Sequence, residues 1–187
     1  MSCITLITGG TRSGKSSYAE RILKNTDSCL YIATATVTDD EMAARVERHR
    51  QQRNDKWQTF EGFKDLDRPV SEFKGEFIML DCVTNMISNL IFDSEKEIDE
   101  ISSSEKDVLY MKIAGEFEKL ISSVRKNDKK LVLVTNEVGM SLVSEYSLGR
   151  LFTDFQGFIN QYLAKEADTV VFMVSGLPLF LKGAVNE

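Results

Sequence analysis

Hydrophobic positions along the chain fall into two patterns. Short, nearly unbroken apolar and β-branched runs occur at Ile4 to Thr8, Leu30 to Thr34, Phe77 to Asp81, Leu131 to Asn136 and Thr169 to Ser175. Unbroken hydrophobicity over five to seven residues suits strands buried on both faces, as in a parallel sheet covered by helices. Between them the apolar positions recur with helical period, predicting helices over Ser16 to Asn25, Thr84 to Phe92, Asp107 to Lys126 and Leu148 to Glu166. A further helix is expected from Thr38 through Arg53, because Thr38 and Glu41 have the spacing of a capping box. The stretch Asp93 to Lys106 is rich in acid and serine without apolar period, and is expected as an exposed loop or a frayed helix start. Gly176-Leu177-Pro178 is expected as a turn, since Gly permits positive φ and Pro cannot continue a ladder. Strands alternating with helices predict an α/β fold: an open, mainly parallel sheet with helices on both faces.

Composition narrows the picture. With 187 residues, 42% of them hydrophobic and 28% charged, one domain spanning 1–187 is expected. The apolar runs are far shorter than the ~20 residues of a spanning helix. The polar, glycine-rich stretch Thr8 to Ser17 stands where a signal peptide would need its apolar region, so a cytoplasmic protein is expected. A formal charge of −6 argues against a nucleic-acid surface but leaves room for a local basic pocket and small anionic substrates. Cys3, Cys29 and Cys82 show no CxxC spacing and read as reduced packing residues.

The strongest chemical signal is Gly9-Gly10-Thr11-Arg12-Ser13-Gly14-Lys15-Ser16, between the first strand and the first helix. A glycine-rich loop lets successive backbone N–H groups converge on phosphate oxygens. Lys15 is placed to reach the β- and γ-phosphates, and the Ser16 hydroxyl to bind Mg²⁺, with the positive end of the helix behind them. This loop makes the α/β fold P-loop NTPase-like. A second metal-proximal carboxylate is expected at the end of a neighbouring strand. Asp81 has that position; it could instead cap the helix that follows.

The sole histidine lies in a basic setting. Arg45, His49 and Arg53 share one stripe of the expected helix, flanked by Arg48 and Arg50. A lone surface histidine is ordinarily just solvated. Gathered arginines, however, repel one another unless they hold an anion, and they lower the pKa of a nearby imidazole. A neutral imidazole can attack an α-phosphate, releasing pyrophosphate and forming a phosphoramidate.

Over essentially its whole length the chain resembles the bifunctional adenosylcobinamide kinase / adenosylcobinamide-phosphate guanylyltransferase family. The resemblance rests on Thr8 to Ser16, Tyr31 to Thr34, Asp40 to Arg50, Leu133 to Gly139 and Val174 to Gly176. It implies phosphorylation of adenosylcobinamide with ATP or GTP, then GMP transfer from GTP to the resulting phosphate through a guanylylated His49. It also implies nucleotide contacts from Thr34, Ala35 and Thr36, from Arg50, Gln51, Gln52 and Arg53, and from Glu61 and Asp81. Family members may carry Glu where this chain has Asp81. A homotrimer is implied too. Asn136-Glu137-Val138-Gly139 should face the ligand crevice, either as substrate contact or as a plain polar strand end. Phe152, Phe155 and Phe158 are expected in the core rather than on a corrinoid surface. The competing readings are a simple P-loop small-molecule kinase and a nucleotide-dependent switch. The absence of an NKxD-type tetrapeptide weakens the switch.

Overall fold

The structure, a computed structural model, describes residues 1–36, 56–94 and 101–183. Seven strands form one sheet: β1 (Cys3–Gly9), β2 (Cys29–Ala33), β3 (Gln58–Glu61), β4 (Phe77–Asp81), β5 (Lys130–Val134), β6 (Thr169–Val174) and β7 (Leu177–Lys182). The described helices are α1 (Lys15–Leu23), α2 (Asp67–Glu72), α3 (Val83–Phe92), α4 (Ser103–Lys126) and α5 (Ser147–Glu166). Strand order is β3-β2-β4-β5-β1-β6-β7, and every neighbouring pair is parallel except β6 with β7.

This order follows from the handedness of parallel crossovers. The chain moves from β1 outward to β2 and β3, then returns through β4 and β5 and passes β1 to β6. Right-handed connections place the helices of opposite steps on opposite faces. Tyr18, Ala19 and Leu23 of α1 accordingly pack on one face with Ile7, Tyr31, Met79 and Val132. Helices α2 to α5 cover the other, where Leu6, Ile32, Leu80 and Leu133 meet Phe117, Leu120 and Ile159. Alternate residues of each strand thus feed two cores. Both faces being covered explains why these strands read as unbroken apolar runs. Each fully buried Leu, Ile or Val contributes roughly 1.5–3 kcal/mol relative to exposure.

All five expected strands are present, together with the described helices expected from the sequence. Three elements are not among those expected: the six-residue helix α2, too short to show a period, and strands β3 and β7. The segment after Gly176 is a strand, not merely a turn: the chain reverses at Ser175-Gly176, and Pro178 pairs with Met173. A proline is tolerated there because β7 is the edge of the sheet and one side of it needs no ladder donor. β3, with the sequence Gln-Thr-Phe-Glu, is the opposite edge and carries too few apolar residues to stand out. α4 begins at Ser103, where Ser102 and Glu105 form a reciprocal capping box, so of the two expectations for this stretch, loop or frayed helix start, Ser103 to Lys106 is a helix start, capped rather than frayed. The helix expected over Thr38 to Arg53 lies outside the described residues. No described helix is long and apolar enough to cross a membrane.

Candidate active site

The run Gly9 to Ser16 leaves β1 at the carboxyl edge of the sheet and enters α1. Gly9 adopts φ +150°, and a Cβ there would stand 2.5 Å from the Met173 carbonyl oxygen. Any side chain would push the loop off β6. Gly14, at the helix N-cap, has φ +94° and gives α1 no side-chain cap. The first turn of α1 holds no acidic residue of its own, so its amide donors and positive dipole face the loop, the arrangement that favours an anion. The loop is tied down at both ends of its concavity: Ser13 N donates to Gly10 O at 3.3 Å, and Gly176 N donates to Ser13 O at 3.0 Å. Ser13 Oγ is buried with no hydrogen-bond partner, a polar atom left uncompensated inside the loop.

Lys15 is 8% exposed, and its ammonium donates to Gly10 O at 2.6 Å. Its charge is therefore held within the loop rather than extended to solvent. Ser16 Oγ donates to Asp81 Oδ1 at 3.4 Å, across from β4. Tyr31 OH, on buried β2, donates to Asp81 Oδ2 at 2.9 Å. Asp81 does not cap α3: the N-cap is Cys82 and no side chain caps that helix. The carboxylate expected near the loop is thus beside Ser16, oriented by a tyrosine whose role the sequence did not signal. Two hard oxygen donors converge here, which fits a Mg²⁺ ion that takes its remaining ligands from phosphate and water. Among the described residues no group of three or more His, Cys, Asp and Glu could hold a metal alone.

Thr34 is 1% exposed, with its hydroxyl donating to Cys82 O at 2.7 Å and accepting from Cys82 N at 2.9 Å. Its own carbonyl accepts from Asn89 Nδ2 at 2.6 Å. The Asp81–Cys82 peptide is cis. Thr34 therefore grips the peptide unit that follows Asp81. Ala35 is partly buried and Thr36 exposed as the chain leaves β2. Glu61 ends β3 level with Ala33, which is itself level with Asp81. Four strand spacings separate β3 from β1, about 19 Å, so Glu61 is not brought to the phosphate loop.

On the other side of Asp81, the end of β5 is held by several polar contacts. Asn136 N donates to Thr84 Oγ1 at 2.9 Å, Asn136 O accepts from Asn160 Nδ2 at 3.0 Å, and Glu137 N donates to Gly9 O at 3.1 Å. Of the three phenylalanines on α5, Phe155 is buried and Phe152 partly so, while Phe158 is 52% exposed with its ring edge-on to Tyr110. The core expectation therefore does not hold for Phe158, whose position faces outward.

The basic stripe of Arg45, Arg48, His49, Arg50 and Arg53, with Gln51 and Gln52, lies outside the described residues. Burial raises the Cys29 thiol to about 12. Burial, with the charge of Asp81 added, raises Cys82 to about 11. Both are inert thiols in the fold.

The chain has relatives that match 95% of its length. A bifunctional adenosylcobalamin biosynthesis protein, CobU, of Escherichia coli strain K12 is 42% identical over 181 residues, covering 95% of this chain and 98% of that protein. The protein of that name from Salmonella typhimurium strain LT2 is 40% identical over 179 residues, with the same coverage. CobP of Pseudomonas aeruginosa, also described as a bifunctional adenosylcobalamin biosynthesis protein, is 34% identical over 181 residues, covering 95% of this chain and 96% of its own. A family model described as cobinamide kinase / cobinamide phosphate guanyltransferase matches residues 5–181, from the first strand through the last. A phosphate loop closing onto Asp81, in a chain matched from residue 5 to residue 181, places this protein in the cobinamide kinase / cobinamide phosphate guanyltransferase family.

Proposed function

We propose that this chain carries out two successive reactions on a corrinoid. In the first, the hydroxyl oxygen of adenosylcobinamide attacks the γ-phosphorus of ATP or GTP. The new O–P bond forms as the β,γ-bridging P–O bond breaks, and the nucleoside diphosphate leaves. In the second, His49 attacks the α-phosphorus of GTP and pyrophosphate departs. An oxygen of adenosylcobinamide phosphate then displaces the histidine, giving adenosylcobinamide-GDP.

The observation that carries this reading is the Gly9 to Ser16 loop with its buried Lys15, facing Asp81 in a chain matched along its length to bifunctional relatives. Phosphoryl transfer asks a protein chiefly for positioning and charge stabilisation. The loop amides and the N-terminus of α1 would hold the phosphates, and Lys15 would turn from Gly10 O to the β- and γ-oxygens. Ser16 and Asp81 would hold Mg²⁺, which when bound neutralises charge on those phosphates. Ala35, Thr36 and Glu61, farther along the same edge, would contact the nucleoside rather than the triphosphate, while Thr34 is buried with its hydroxyl on Cys82.

Nucleotidyl transfer is tested by incubating the protein with GTP labelled at the α-phosphate. Wild type should retain acid-labile, alkali-stable label that adenosylcobinamide phosphate chases off, and His49→Ala should retain none. Turnover without label on wild type removes the histidine step. A homotrimer is part of the same proposal; Leu177, Leu179 and Leu181 of edge strand β7 are all more than half exposed and offer an apolar surface for it. Light scattering after size exclusion measures the assembled mass.

A further inference from the structure

The proposed kinase step leaves one proton unaccounted for, that of the attacking hydroxyl. Three acidic side chains stand at or just beyond the carboxyl ends of described parallel strands. Glu61 lies on the far edge of the sheet. Asp81 is engaged by Ser16 and Tyr31. Glu137 follows β5, the strand directly beside β1, and its amide is bonded to Gly9 O at 3.1 Å. Its main chain therefore touches the first residue of the phosphate loop. Its carboxylate is only partly buried, and Oε1 accepts from Gly139 N at 3.2 Å.

The backbone leading into Glu137 is held by several hydrogen bonds. Thr135 N donates to Ile7 O at 2.9 Å, and both polar groups of the Asn136 main chain are bonded, to Thr84 and Asn160. Behind them Thr135 Oγ1 donates to Asn160 Oδ1 at 2.7 Å, while Gln156, fully buried, donates to both. Hydrogen bonds of this buried network favour one backbone geometry, although Gln156 Oε1 is left without a partner. The residue after Asn136 is Glu137, whose amide is bonded to the first residue of the loop.

We propose that Glu137 is the general base of the kinase step: one carboxylate oxygen accepts the proton of the acceptor hydroxyl as the oxygen bonds to the γ-phosphorus and the nucleoside diphosphate leaves. This rests on the kinase reading above. The same residue has no such task in guanylyl transfer, because the acceptor there is a phosphate oxygen already ionised near neutral pH. The two reactions therefore separate the role.

The test is Glu137→Gln, compared with wild type and Glu137→Asp in both reactions. Adenosylcobinamide with ATP reports the kinase, and preformed adenosylcobinamide phosphate with GTP reports the transferase. The expected result is a kinase kcat lowered by about 10²–10⁴-fold, with the nucleotide KM and the transferase rate within about threefold of wild type and partial activity in Glu137→Asp. A kinase kcat that stays within about threefold of wild type overturns the assignment. So does an equal loss in both reactions, or a loss confined to nucleotide KM. If wild type itself phosphorylates no adenosylcobinamide, the kinase reading fails instead.

Discussion

Gly176 N donates to Ser13 O at 3.0 Å, so the reversal between β6 and β7 is fastened to the phosphate loop that leaves β1. The last two strands thus act as a back wall for the first loop. In that wall Gly9 is paired with Met173 of β6. Gly9→Ala places a Cβ 2.5 Å from a backbone oxygen at a φ that side chains rarely adopt. The loop must shift to accommodate it. Nucleotide affinity by calorimetry should fall at least about tenfold, or about 1.4 kcal/mol, with a lowered Tm.

Asp81 and Ser16 meet across the gap between β4 and α1, with Tyr31 fixing the far oxygen of the carboxylate. Asp81→Asn should lower kinase kcat by about 10²-fold or more and raise the Mg²⁺ concentration for half-maximal rate. Tyr31→Phe keeps the carboxylate but frees one oxygen, so its effect on both quantities should be smaller. Equal Mg²⁺ dependence in wild type and Asp81→Asn would remove the carboxylate from the metal site.

Thr34 offers a case where resemblance and geometry suggest different roles for one hydroxyl. The resemblance implies a nucleotide contact; in the structure the hydroxyl proton is committed to Cys82 O. Thr34→Val would leave a buried N–H and a buried C=O without that partner. A loss of about 2–4 kcal/mol in urea unfolding is expected, with nucleotide KM changed less than about twofold. A raised KM with unchanged stability would favour direct contact.

The two buried thiols make stability fall at high pH. Cys29 is raised to about 12 and Cys82 to about 11, against an ordinary value of 9.0. Below pH 9 both folded and unfolded chains keep these protons, so the contribution is fully present. Above it the unfolded chain releases protons that the fold retains, and stability declines towards the folded values. Each thiol contributes at most about 1.4 kcal/mol per pH unit. Urea midpoints from about pH 8 to pH 10 should drop less steeply in a Cys29→Ala, Cys82→Ala double variant than in wild type.

What could be read in advance divides along physical lines. The central strands declared themselves because burial on both faces leaves no polar alternation, and the loop did so because its glycines, lysine and serine have fixed spacing. β3 and β7 are edges, where half the constraint is missing: Gln58-Thr59-Phe60-Glu61 has too little apolar character, and Pro178 read as a stop. Helix α2 has only six residues, too short to show a period. In the site, Asp81 could be placed beside the loop from its strand-end position. Its tyrosine partner and the grip of Thr34 on Cys82 join residues about fifty positions apart, and no local pattern encodes such pairs. Glu137 was visible as a polar strand end; its bond to Gly9 emerges only from the order of the strands.

The central claim is that the Gly9 to Ser16 loop performs phosphoryl transfer to a corrinoid. The most direct measurement follows γ-labelled ATP with adenosylcobinamide, comparing wild type with Lys15→Ala. Wild type should move the label onto adenosylcobinamide, and Lys15→Ala should do so about 10²–10³-fold more slowly with its fold intact by circular dichroism. Label transfer at the same rate in both proteins, or none onto adenosylcobinamide in wild type, would contradict it.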